Sequence, residues 1–393
     1  MNSGLLSAEE RQVIDTVARF ISKEVIPNVS QLERASNYPD FIVNQMKVLG
    51  LFGIAVPQEY GGLGLRIPVF AAVLEELAKG WSTLAAYVNS HSTVAYAIGK
   101  FGTQGQKDAF LPGMASGEVR AALCLTEAEA GSDLQAIRSS ATRSEKVLTL
   151  NGAKIYVTNG RKADLLMVLA KSNSAVKKAA YGMSLLLVPS RLPGVSVTTD
   201  FEKMAFGKVD TVGISFESVS LTEDLLLGAE EGKGFGQLMD ALEIGRIAIA
   251  ASAVGLAAAA LSAALRFAAD RKTFGKTINE HQAIQLRLAD MATRLVAARQ
   301  MTLLAAQEKQ RGNRADMVSA MAKLFASETC TDLTQEALRV HGGHGYISDY
   351  PVERFVREAL LYLVGEGTND IQKLVINRRL QEGSENGLLG LPY

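Results

Sequence analysis

Apolar positions recur at helical spacing through the first third of the chain. Val13, Ile14, Val17, Phe20 and Ile21 share one face of a run from Leu6 to Ile26, and Ser7 followed by Glu10 makes a capping box at its start. The Pro- and Gly-punctuated stretch AVPQEYGGLGLRIP breaks the pattern before a second helical run from Val69 to Lys79, which SHSTVAYAIGKFG and QGQKDAFLPGMASGE continue. Near residue 120 the period changes. Ala121 to Leu125, Val147 to Leu150, Lys154 to Val157, Leu165 to Ala170, Met183 to Val188 and Gly213 to Val219 are short apolar or alternating runs separated by polar turns, as strands are. Asn151-Gly152, between VLTL and AKIYV, predicts a type I′ hairpin. Helical spacing returns after EEGKGFG. GFGQLMDALEIGR leads into an Ala-rich helix, a long amphipathic run begins at INEHQ, a third covers Asp316 to Val340, and a last one Gly367 to Arg379. The order is helices, β domain, helical bundle, with boundaries at 1–119, 120–228 and 229–393: a mostly helical α+β chain.

Composition narrows the function classes. The 393 residues suffice for two or three domains with a sizeable core. Lys+Arg of 41 against Asp+Glu of 41 leaves no net field to attract nucleic acid or an anionic membrane, so any attraction for a phosphorylated ligand is local. The stretch IAIAASAVGLAAAALSAAL, Ile247 to Leu265, meets the length criterion for a membrane span. It consists mostly of Ala, Ser and Gly between Arg246 and Arg266, which reads as a buried helix of a soluble bundle whose small side chains admit close neighbours. Cys124 and Cys330 match no metal or disulfide spacing and suit a reducing cytosol. The opening MNSGLLSAEERQ lacks the order of a signal peptide and GLLGLPY carries no recognised address, so the expected location is cytoplasmic.

Side-chain chemistry is sparse. His91, His281, His341 and His344 form no zinc spacing with carboxylates or thiols, so no metal is expected. Neither a nucleophile elbow nor a GxGxxG after a strand is present. The Gly-rich turns HGGHGY (341–346) and EAEAGSD (127–133) can present backbone N–H groups to phosphates or to a polar cofactor edge, although each taken alone is more often simply a turn.

Four segments carry a family resemblance: CLTEAEAGSDLQA at 124–136, RKTFGKTINEHQA at 271–283, GGHGYISDYPVERFVRE at 342–358 and GEGTNDIQ at 365–372. Their order and spacing resemble those of acyl-CoA dehydrogenases over nearly the whole chain. The resemblance implies an N-terminal helical domain, a middle β-barrel or sandwich and a C-terminal four-helix bundle, with FAD held between the last two. It implies that Leu123, Cys124, Leu125, Thr126, Gly131 and Ser132, with Tyr156, Val157 and Thr158, line the isoalloxazine. Tyr156 stands at the stacking position, and the hydroxyls of Thr126 and Thr158 serve the polar edge. Across a subunit interface, Arg271, Thr273, Phe274, His281, Gln282, Gly342 and Gly343 would hold the dinucleotide, while Thr368 and Asn369 contact FAD within the bundle. Such shared sites imply a homotetramer, a dimer of dimers.

The reaction implied removes two hydrogens from adjacent carbons of a saturated acyl-CoA. It needs a base for the α-proton and a cofactor for the β-hydride, which no side chain accepts. A carboxylate in a pocket that excludes water suits the first task. Glu366 occupies the family's base position; from residue type alone it is more often a solvated glutamate at a helix start. Some relatives place the base immediately before the Arg that matches Arg246, where this chain has Gly245. The resemblance assigns the enolate's donors to the Glu366 backbone N–H and a ribityl hydroxyl, and substrate contacts to Ser132, Glu243, Arg246 and Gly367; a helix-packing salt bridge is the other reading of Arg246. Asn89 to Thr93 is expected to form part of the pocket floor.

Several positions depart from the family. Arg339 replaces Gln and either reaches a phosphate or is structural; Gly365 replaces a Tyr and widens the site; Ala205 and Gly207 replace Gly and Arg in KMAFGKVDT. The leading expectation is an FAD-dependent dehydrogenase that passes electrons to electron-transfer flavoprotein. The same fold also serves acyl groups on carrier proteins and O2-using oxidases or monooxygenases, and a non-enzymatic scaffold would lack flavin colour.

Overall fold

The computed structural model describes residues 6–385 apart from Ser174 and Lys177; the ends read above as MNSGL and GLLGLPY lie outside the described residues. Six helices open the chain: α1 (Ala8–Phe20), α2 (Val29–Arg34), α3 (Asp40–Val48), α4 (Ile67–Gly80), α5 (Ser82–Phe101) and α6 (Gln104–Ser116). The capping box at α1 is formed, with Ser7 Oγ accepting from Glu10 N at 3.1 Å and Glu10 Oε2 from Ser7 N at 2.8 Å. A second box, Thr103 with Gln106, starts α6.

The middle of the chain is one seven-stranded mixed sheet: β1 (Ala121–Cys124), β2 (Ser140–Ser144), β3 (Val147–Thr158), β4 (Leu165–Lys171), β5 (Met183–Pro189), β6 (Val195–Asp200) and β7 (Thr211–Thr222). The order is β1-β4-β2-β3-β7-β6, with β5 also paired to β4. β4 is buried on both faces, which explains its unbroken apolar sequence. Leu165, Met167 and Leu169 pack towards α5, α6 and the next helix, whereas Leu166, Val168 and Ala170 enclose an interior with Leu148, Leu150, Ile214 and Phe216.

The hairpin expected at Asn151-Gly152 does not exist. β3 runs straight through these residues, and the turn lies earlier, at Glu145 (φ 51°) between β2 and β3. Asn and Gly serve a β-bulge instead: the register with β7 shifts between Leu150 and Gly152, and Asn151 Oδ1 accepts from Ser218 N at 2.8 Å. A Cβ on Gly152 would lie 2.2 Å from Ser139 Oγ, so the glycine is required by close approach. β2 and β6 escape the sequence reading because SATRS and VSVTTD are largely exposed and show no apolar alternation.

The Ala-rich run belongs to a 37-residue helix, α7 (Gly234–Asp270). A short hairpin of β8 (Lys272–Thr273) and β9 (Lys276–Thr277) leads to α8 (Gln282–Gln310), α9 (Asp316–His341), α10 (Val352–Val364) and α11 (Asn369–Glu385). α10 falls between the helical runs that end at Val340 and begin at Gly367, so it is an addition to the expected elements. α9 packs against α7, α8, α10 and α11, and α4 and α5 cover the other side of α7. α7 is long and apolar enough to cross a membrane, yet 89% of its most apolar window is buried inside the protein. Its small residues let backbones meet: a Cβ on Gly255 would lie 2.2 Å from the Glu75 carbonyl of α4.

Gly255→Ala should therefore destabilise the protein by about 1–3 kcal/mol, because the neighbour is backbone and cannot rotate away. Gly99, inside α5 with no atom within 4 Å of its Cβ position, gives the opposite sign, since Ala there adds up to ~1 kcal/mol of helix propensity. Thermal melts of the two variants check the pair; equal shifts would contradict this packing.

Candidate active site

Glu366 lies in the turn between α10 and α11, with a left-handed φ of 54°, and Gly367 follows at φ 85°. This backbone carries the side chain back into the protein rather than along α11 into solvent. A Cβ on Gly245 would sit 2.7 Å from Glu366 Oε2, so the carboxyl rests where α7 has no side chain. Asn89 of α5 donates its Nδ2 to Glu366 Oε1 at 3.4 Å. The residue is half-buried, with its carboxyl set against α7 rather than along a solvated helix start. Burial raises its proton affinity above the ordinary carboxyl value; the charges of Arg246 and Lys323 and the Asn89 hydrogen bond act in the opposite sense. The Glu366 N–H finds no acceptor among the described residues, which leaves a backbone donor free beside the carboxyl.

Around this point the polar groups are unevenly satisfied. Arg246, one residue along α7 from Gly245, is buried and its Nε has no partner among the described residues. Glu243 is buried as well, and it is already engaged: Lys309 Nζ reaches its Oε2 at 2.7 Å and the Asp240 carbonyl at 3.1 Å. Burial raises the Glu243 proton affinity while Lys309 lowers it. A substrate contact by this carboxylate has to compete with Lys309. Ser132 and Gly367 are exposed.

The two segments expected at the flavin come together. Ile155 N donates to Thr126 O at 2.8 Å, and Lys154 Nζ bridges Leu125 O at 2.9 Å and Glu127 Oε1 at 2.8 Å. Glu127 in turn accepts from Arg138 N and Ser139 N, so a buried ion pair fixes the loop after β1 against β3. Asn159, next after Thr158, donates to Ala86 O at 3.2 Å, one helical turn of α5 from Asn89. That edge and Glu366 therefore face the same stretch of α5. Leu123, Leu125, Thr126 and Thr158 are half-buried, and neither threonine hydroxyl has a partner among the described residues. Tyr156 is 58% exposed at a bulge, with φ 57°. The Tyr156 ring, tilted against Phe201 at 4.8 Å between centroids yet more than half exposed, the two threonine hydroxyls and the open Gly131 turn fit a flat polar cofactor. Cys124 and Val157 contribute only backbone, since both side chains point into the sheet interior; burial pushes the Cys124 thiol up to about 12.

The remaining expected contacts divide. Thr368 caps α11, its Oγ1 accepting from Ile371 N at 3.3 Å. The Asn369 side chain turns inward to Lys323 and Ser327 and is not free for a cofactor. Arg271 and Phe274, between α7 and α8, and Gln282 at the start of α8 are exposed, with His281 Nε2 lying 3.2 Å from Thr273 Oγ1. Gly342 and Gly343 are open beside them, because Phe267 of α7 stacks on His341 at 4.3 Å. This group lies at the far end of α9 from Lys323 and the Glu366 turn, roughly 27 Å away at ~1.5 Å rise per residue. Arg339 pairs with Glu336 at 2.5 Å on the surface. Lys323 and Gln372 were missed; a lone lysine in the apolar run MVSAMAKLFA is the signal that could have found the first.

Three family profiles cover the chain: acyl-CoA dehydrogenase N-terminal domain at residues 7–118, middle domain at 122–219 and C-terminal domain at 232–381. The probable acyl-CoA dehydrogenase YngJ of Bacillus subtilis is 39% identical over 95% of this chain and 98% of its own length. Butyryl-CoA dehydrogenase from Megasphaera elsdenii superposes with a TM-score of 0.90 at 33% identity, over 96% of this chain and 99% of that one. A chain described with the electron transferring flavoprotein of Acidaminococcus fermentans superposes at 0.92 with 34% identity, over 97% and 99%. The chain belongs to the acyl-CoA dehydrogenase family, as an FAD-dependent oxidoreductase acting on CH–CH donors.

Proposed function

We propose that this protein converts a saturated acyl-CoA to its trans-2-enoyl-CoA, with Glu366 removing the α-proton and electrons leaving to an electron-transfer flavoprotein. The observation that carries the reading is the Glu366 carboxyl, turned out of solvent against Gly245 with a raised proton affinity and a free backbone N–H beside it. A carboxylate so placed is a stronger base than one in water. The thioester carbonyl, set against the Glu366 N–H, acidifies the α-carbon by accepting charge as the proton leaves. FAD, when bound along Thr126, Tyr156 and Thr158, supplies the acceptor for the β-hydride. Arg246 offers a buried cation whose Nε is unpartnered among the described residues, a local attraction for the CoA arm in a chain of zero net charge.

Gly365 bears on the acyl group. Its backbone (φ −69°, ψ 153°) suits any residue, and a Cβ there would meet only Leu361 O at 3.3 Å. The space beside the base favours a branched or aryl substituent. A homotetramer is part of the reading: Phe274 is 96% exposed, Leu286 and Val296 line the outward face of α8, and the second group of expected FAD contacts lies too far along α9 to serve the same chain's flavin edge.

Glu366→Gln should retain flavin but lose about 100- to 10,000-fold of the rate at which an acyl-CoA bleaches it anaerobically. In the wild type, kcat/KM should fall as pH drops through a value above the ordinary 4.5, because the base must be ionised to act. Undiminished bleaching in the variant would overturn the base assignment, and rapid reoxidation by air alone would point to an oxidase. A carrier-protein thioester bleaching faster than every acyl-CoA would reassign the substrate arm.

Gly365→Tyr should lower kcat/KM for isovaleryl-CoA or 3-phenylpropionyl-CoA about 10-fold or more relative to butyryl-CoA. Equal losses on all three would remove the size argument.

A further inference from the structure

The turn that carries Glu366 is closed from behind by a charged group. Lys323, near the start of α9, is fully buried. Its ammonium donates to Leu363 O at 3.2 Å, Gly367 O at 2.9 Å and Asn369 Oδ1 at 2.7 Å. Three N–H donors meet three acceptors, none of them a carboxylate. Those acceptors bracket the base: the end of α10, the residue after Glu366 and the first residue of α11. Ser327, one turn along α9, shares Asn369, and Gln372 Nε2 reaches Glu366 O at 3.3 Å and Gly367 O at 2.9 Å. A left-handed non-glycine residue is strained and persists only where its surroundings over-determine it. Here they do.

A lysine is a costly way to satisfy two carbonyls and an amide oxygen, since its charge must also be desolvated. What the cation adds is a positive potential behind the carboxyl. The charged groups that face it are Glu366 from the turn, Arg246 from α7 and Glu328 on its own helix. Burial pulls the ammonium down to about 8, Glu366 resists this most, and Arg246 acts in the same sense as burial.

We propose that Lys323 is a positioning residue for the base: it pins the turn in the conformation that aims Glu366, and its charge keeps the carboxyl ionisable where water is excluded. This rests on the reading of Glu366 as the base. The role has two signatures. Removing the charge raises the proton affinity of Glu366, which moves the acid limb of the pH profile upward. Removing the ammonium also abolishes any limb near pH 8, where the wild-type lysine loses one of its three donors.

The test compares the wild-type holoenzyme with Lys323→Met and Lys323→Gln, the second retaining N–H groups without charge. Hydrogen exchange of backbone amides is followed by mass spectrometry across residues 361–372. In parallel, exchange of the α-hydrogen of butyryl-CoA with D2O and bleaching of the flavin are measured from pH 5 to 10. We expect faster amide exchange confined to the turn in Lys323→Met, an acid limb higher by about one pH unit in both variants, and no limb near pH 8. Turn amides as protected as in the wild type, or pH profiles that superimpose while only the rate falls, would overturn the proposal. If Lys323→Met does not hold flavin, the acid limb of Lys323→Gln decides. Full activity of Glu366→Gln defeats the base reading separately; turn exchange still judges the clamp.

Discussion

Everything at this site depends on keeping one carboxyl group out of water without supplying it a fixed counter-charge. A carboxylate in direct contact with a cation would be a weak base, and one in solvent would be ordinary. Glu366 is in neither state. Its carboxyl fills the space over Gly245, its nearest hydrogen-bond donor is the neutral amide of Asn89, and the cations Arg246 and Lys323 act by field rather than by contact. Burial raises the proton affinity and the two cations limit the rise, which leaves a base that can be ionised yet is poorly solvated. The cost falls on the backbone, where a left-handed glutamate is held at the expense of about 1–3 kcal/mol of local strain.

That arrangement constrains α7. The helix can approach the turn only because residue 245 lacks a side chain, and it can approach α4 only because residue 255 does too. Small residues along its length serve the same end, drawing α4, α5 and α9 close around one axis. α5 then links the two halves of the site. Asn89 meets the base, and one turn earlier the Ala86 carbonyl receives Asn159 from the end of β3. The Lys154–Glu127 pair performs the matching task in the sheet, fixing the loop after β1 to the strand that presents Tyr156. Buried ion pairs of this kind add little net stability, but removing one partner strands the other, so they enforce one geometry.

Much of this was legible in the sequence, and the exceptions have physical reasons. Capping box, Ala-rich helix and apolar strands are local signals, read within one or two turns of chain. Asn151-Gly152 misled because the traits that make a hairpin, tolerance of unusual φ and a short side-chain carbonyl, also make a bulge; only the position of Ser139 and Ser218 decides between them. β6 was invisible because an exposed edge strand needs no apolar face. At the site, Glu366 was found by its motif, but its environment was not. Asn89 is 277 positions away from it, and Lys323 lies on a different helix. Motif reading also overstated Asn369, whose side chain serves the turn, and Cys124 and Val157, which face the core.

The placement of residues along α9 bears on how the cofactor is shared. Lys323 holds the Glu366 turn at one end, and Gly342 and Gly343 stand open at the other, next to the exposed Arg271–Gln282 hairpin. The rigidity of a continuous helix fixes that separation, so side-chain motion cannot bring the two groups to one flavin edge. On the proposed reading each chain supplies the reactive end of its own site and the nucleotide-binding end of a neighbour's. Phe274, almost wholly exposed where a monomer would bury or omit it, fits that division, because an aromatic ring in such a position is covered only by another surface. The long helix that positions the base in one chain would then also set the spacing between copies.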